Sequence, residues 1–230
     1  MSESCWRASS TNRRPVSVTF PAGLSRRVNR MVLTATLVFG SAGCLVLAIL
    51  ALMLRTRGFT SACLVYGVSL VACTLCSFLY NMLETAKRRA LLRYLDHAAI
   101  FLLIAGTYTP FAAGIRGPFH ESLLTWVWSL ALAGIALKLF LPKSHDRAFV
   151  GLYLAIGWLF VSAGDEVARA VPPLPLLFLG FGGVAYTAGA AIYARDIGRW
   201  TDPVWHGCVF AGIVGHFVAV ITFCLSATAS

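Results

Sequence analysis

The chain has 230 residues, 58% apolar and only 12% charged, and its mean hydropathy of +0.77 exceeds what a surface facing water can carry, which excludes a soluble domain. Its formal net charge of +10 does not indicate nucleic acid, because the Lys and Arg fall in short clusters between apolar runs, with no basic groove interleaved with aromatics. Lipid is the expected solvent, and at roughly 20 residues per crossing the length is consumed by about seven spans.

Residues 1–30 are rich in Ser and Arg, contain one acid, Glu3, and lack a continuous apolar core, so they are expected to form a basic polar tail; the same composition also suits an organelle transit peptide. A first span is predicted from Met31 to Leu54, stopped by Arg55 and Arg57. The second runs from Thr60 to Leu83 and is stopped by Glu84, Lys87, Arg88 and Arg89. The third covers Tyr94 to Ile115, the fourth Leu123 to Leu141 and the fifth, the shortest, Phe149 to Ala163, where Asp165, Glu166, Arg169 and three prolines follow. The sixth covers Leu176 to Ala194, and the seventh opens at Pro203 and ends near Ala227. The expected fold is an all-α, polytopic membrane protein, with the seven-helix domain occupying residues 31–227.

Of the 19 Lys and Arg, only Arg55, Arg57, Arg116 and Arg169 fall on the side opposite the N-terminus, so the positive-inside rule predicts a cytoplasmic N-terminus and an external C-terminus. Gly207, Ala211 and Gly215 recur every four residues in the seventh span, with Gly212 beside them, and form a ridge that another helix can approach closely. Six of the seven cysteines lie in apolar runs and give no disulfide framework; Cys73 and Cys76 share a helix face but read as small hydrophobes.

An Asp at the centre of a spanning helix costs about 2.5–3.5 kcal/mol, and less near its ends, so polar residues inside these runs need a reason. Ser77 and Asn81 lie near the end of the second span, Asp96 and His97 at the start of the third, and Asp202 and His206 at the start of the seventh. The charge-derived topology brings all three groups to one depth on the cytoplasmic side. Residues four apart share a helix face, so one pocket lined by Ser77, Asn81, Asp96, Asp202 and His206 is predicted. His216 lies about 15 Å further along its helix and is expected outside that pocket. Each residue also has a structural reading. Asp202 before Pro203 suits a helix N-cap, and Asn81 suits a bond to a neighbouring helix. Asp96 suits an interfacial pair with Arg93 or Arg89, and His206 suits packing.

The stretch SFLYNMLETAKRRALLRYLDHAAIFLLIAGTYTPF, Ser77 to Phe111, resembles the signature region of the hemolysin III family, bacterial relatives of the progestin and adipoQ receptors. The resemblance implies a Ser and a His in span two, an Asp in span three and a His-x3-His pair in span seven, with the histidines holding zinc. Ser77, Asp96 and His206 match that pattern, and His216 matches a further family histidine. Asn81 and Asp202 stand where histidines are expected. A carboxamide is a poor zinc ligand. The site implied is therefore a degenerate polar pocket without a cofactor, the alternative being zinc or a harder ion on Asp96, Asp202 and His206.

The function expected is that of a hemolysin III type protein in a bacterial inner membrane, acting without catalysis in membrane homeostasis or cytolysis. Membrane lipids are its expected partners, nucleic acid is not, and self-association into a homo-oligomer is compatible. The resemblance also admits a metal-dependent hydrolase of lipid amides, with Asp96 as base, and a seven-helix receptor. The altered ligand set argues against the first of these, and the short connections against the second.

Overall fold

The computed structural model describes residues 23–54, 57–83, 88–114, 118–141, 145–162 and 164–229, and among them the chain is all-α. In chain order the helices are α1 (Leu24–Leu54), α2 (Arg57–Met82), α3 (Arg89–Gly114), α4 (Pro118–Phe140), α5 (Asp146–Gly157), α6 (Leu159–Ser162), α7 (Gly164–Ala170), α8 (Pro173–Arg195) and α9 (Thr201–Ala229). Six of them, α1 to α4, α8 and α9, are each long and apolar enough to cross a membrane. Their outward faces carry Leu52, Met53, Trp126, Phe140 and Leu177, 66% to 81% exposed, an arrangement that only lipid tolerates.

The fifth crossing departs from the continuous run predicted over Phe149–Ala163. It is broken after Gly157 and again before Gly164, and α7 is bent by 67° from the segment formed by α5 and α6. Counted as one span, this broken segment completes the predicted seven. A break inside lipid is tolerated only where protein satisfies the freed backbone groups. Tyr108 of α3, 4% exposed, does so. Its hydroxyl accepts from the Phe160 N–H at 2.8 Å and lies 2.9 and 2.8 Å from the carbonyl oxygens of Ile156 and Gly157, to which its single proton is available.

The N-terminal boundary also differs. α1 starts at Leu24, seven residues ahead of the apolar run, because Arg26, Arg27 and Arg30 are good helix formers whose side chains are exposed while Ser25 and Leu33 on the opposite face are buried. Residues 1–22, most of the expected tail, lie outside the described residues.

The most intimate helix pair is α8 with α9. Pro172 and Pro173 open α8, where a missing N–H costs nothing, and Asp196 ends it in the left-handed conformation at φ 52°. The Asp196 carboxylate then accepts from the Gly198 N–H at 3.2 Å and the Thr201 hydroxyl at 3.0 Å, turning the chain into α9. The predicted small-residue ridge packs here in part. A Cβ on Gly215 would meet the Gly182 nitrogen and the Phe178 carbonyl at 3.1 Å, and one on Gly212 would meet the Tyr186 ring at 2.6 Å. Gly207 meets nothing within 4 Å and takes no part.

Candidate functional site

A cavity of about 410 Å³ lies inside the bundle, lined by residues of α1, α2, α3 and α5 to α9. Its walls are mostly apolar, among them Ile100, Leu103, Phe111, Val209 and Ile213. One end, where α3 and α9 begin and α2 finishes, carries Ser77, Asp96 and His206. Ser77 of α2 and Asp96 of α3 both face this end of the cavity. Exposed residues of the broken span and of α8, Trp158, Val161 and Gly180, also line the cavity, so it reaches the bundle's outer face there.

The structure thus brings Ser77, Asp96 and His206 to one cavity and leaves the other two predicted residues outside its lining. Asn81 is half-buried and its amide donates to the Ser77 carbonyl of its own helix at 2.9 Å. Asp202 is exposed, and the helix begins at Thr201, so Asp202 sits in the first turn without being the residue that precedes it. His216, expected apart, lines the same cavity as His206, because the cavity runs along the helices for that distance. Its ring packs edge-on against Tyr186 at 5.2 Å.

His206 has a partner that the sequence reading placed in the tail. Asn29 of α1 sets its Oδ1 2.7 Å from the His206 Nδ1, which identifies Nδ1 as the protonated nitrogen in this contact.

A second polar cluster forms beside the cavity, on α3, α4 and α5. Arg93 donates to both carboxylate oxygens of Asp146, at 2.8 and 3.1 Å, and Lys138 donates to the same group. His97 approaches it with Nε2 at 3.6 Å, while its Nδ1 is 3.1 Å from the Tyr153 hydroxyl. Arg93, offered by the sequence as a partner for Asp96, therefore pairs with Asp146. Lys138 was legible as an ionisable residue within an apolar run, which is a site candidate by default. Asp146, in a connection, carried no such signal.

Zinc, which the resemblance implies, needs three good protein ligands and an open position. Among the described residues no three His, Cys, Asp or Glu side chains are grouped to hold an ion. Asn81 turns its amide to its own helix, and Asp202 is exposed, so the donors present do not fit a three-ligand zinc site.

An all-helical bundle with up to seven apolar crossings and a cavity inside it defines an integral, multi-pass membrane protein. A family model described as haemolysin-III related matches residues 28–217, and the chain belongs to that family. It is 34% identical over 162 residues to the hemolysin-3 homolog of Bacillus subtilis (strain 168), covering 70% of this chain and 76% of that protein. It is 35% identical over 162 residues to the hemolysin-3 of Bacillus cereus, covering 70% of this chain and 74% of that one. The resemblance read from Ser77 to Phe111 is thereby borne out.

Proposed function

We propose that this protein acts on the bacterial plasma membrane itself, in membrane homeostasis or cytolysis, without catalysis and without zinc, by holding one membrane amphiphile in its cavity. The supporting observation is a cavity of about 410 Å³ with apolar walls, a polar end at Ser77, Asp96 and His206, and a side that reaches the lipid-facing surface. Such a shape suits an acyl chain in the body and a hydrogen-bonding headgroup at the end. The protein purified in mild detergent should retain about one lipid per chain by native mass spectrometry, and carry no stoichiometric zinc by elemental analysis. Dye release from reconstituted vesicles would assign cytolysis, and retained lipid without release would assign homeostasis. The absence of both retained lipid and dye release would overturn the proposal. A second reading, hydrolysis of lipid amides, is favoured only by an acid and an imidazole facing one cavity, Asp96 and His206; release of fatty acid from a fluorescent lipid amide, lost on Asp96→Asn, would establish it instead.

A further inference from the structure

At the opposite end of the bundle from the polar groups, α2 begins and α9 finishes. Cys63, in the second turn of α2, and Cys224, in the last two turns of α9, place their sulfurs 3.1 Å apart, 161 residues apart in the chain. Both are enclosed, at 1% and 0% exposure, among Phe223, Phe111 and Val220. Two thiols at ordinary contact rest further apart than this, and a disulfide bond of about 2.05 Å would shorten the present separation by about 1 Å. α9 packs chiefly on α8 and α1, so this approach to α2 is a local one.

The geometry points to a disulfide between Cys63 and Cys224 as a covalent staple at the external end of the bundle. The charge distribution assigns that end to the outside, the compartment in which disulfides form and persist. The acceptor is a dithiol-disulfide oxidoreductase in its disulfide form. A thiolate at one cysteine attacks the oxidoreductase disulfide and forms a mixed disulfide with release of one acceptor thiolate. The second cysteine thiolate then attacks the first cysteine's sulfur, making the Cys63–Cys224 bond and releasing the other acceptor thiolate. Two cysteine protons are transferred, and the acceptor leaves as a dithiol. Because both sulfurs are buried in the finished bundle, the exchange takes place while α9 is closing onto α2. The staple ties together the helices that carry Ser77 and His206, and so holds the two sides of the cavity.

The full chain, expressed in cells with an oxidising extracytoplasmic compartment, is quenched in acid and alkylated in detergent with a mass-tagged maleimide. Of its seven cysteines, five should be tagged without reductant and seven after it. Peptide mapping without reduction should show residues 63 and 224 linked. In Cys63→Ser all six remaining thiols should be tagged without reductant. Seven tags on the unreduced wild type would overturn the staple, and so would a reductant-sensitive loss of two tags that persists in Cys63→Ser.

Discussion

Replacing Asp146 with Asn removes the carboxylate that, among the described residues, meets both Arg93 and Lys138. The three side chains are 17%, 13% and 1% exposed, so the charges left behind are largely shielded from water. Breaking a buried ion pair by deleting one partner costs about 3–5 kcal/mol, because the surviving charge stays desolvated without compensation. Here the lower figure applies, since Asp146 and Arg93 retain some solvent. A loss of about 3 kcal/mol lowers the melting temperature of a chain this size by roughly 6–12 °C. Thermal unfolding in detergent, followed by a thiol-reactive dye or by the loss of monodisperse protein, reads the shift. The cause is separable from general damage to the helix start, because Lys138→Met removes a cation and supplies an apolar side chain of similar length. Asp146→Asn with Lys138→Met should recover several degrees relative to Asp146→Asn alone. If Asp146→Asn melts within about 2 °C of the parent, or the double variant is no better than the single, the cluster does not hold α3, α4 and α5 together as described.

Tyr108→Phe keeps the ring and removes the hydroxyl that serves the break after Gly157, leaving the Phe160 N–H without its acceptor and one of the Ile156 and Gly157 carbonyls without the Tyr108 proton; a loss of about 1–3 kcal/mol is expected in the same assay. Faster backbone amide exchange confined to α5 and α6 would accompany it, and unchanged exchange there would refute the repair role. Gly212→Ala should destabilise by about 1–3 kcal/mol through collision with the Tyr186 ring, whereas Gly207→Ala, facing open space, should be neutral. Equal effects at the two positions would dissociate the glycine ridge from α8–α9 packing. Reporter fusions after residues 85, 118 and 170 test orientation. The first should report a cytoplasmic position and the other two an external one, and the reverse pattern would invert the charge assignment and remove the compartment on which the Cys63–Cys224 bond depends.

The crossings were legible because lipid imposes one dominant requirement, a run of about 20 apolar residues, and most of the chain obeys it. Apolarity reports solvation and not continuity, which is why Phe149–Ala163 read as one helix. No proline marks the break at Trp158, and what permits it is a hydroxyl on α3, 52 residues earlier in sequence than Phe160. The site was legible to the extent that its residues are anomalies in an apolar background. Ser77, Asp96 and His206 stand out on those grounds and do line one cavity. Asn29 does not, since three arginines around it make that stretch look like a soluble tail. Its amide is nonetheless what fixes the His206 ring. Helical spacing was a weaker guide. Four residues separate Asp202 from His206, yet in the first turn of α9 the carboxylate is exposed while the ring turns inward. Depth misled at His216, because a distance along the axis separates two groups only when the space between them is filled. Here it is the cavity, so a headgroup held at Asp96 and His206 would place its chain toward His216 and Tyr186, and the length of the chain retained on purification measures how far that space is used.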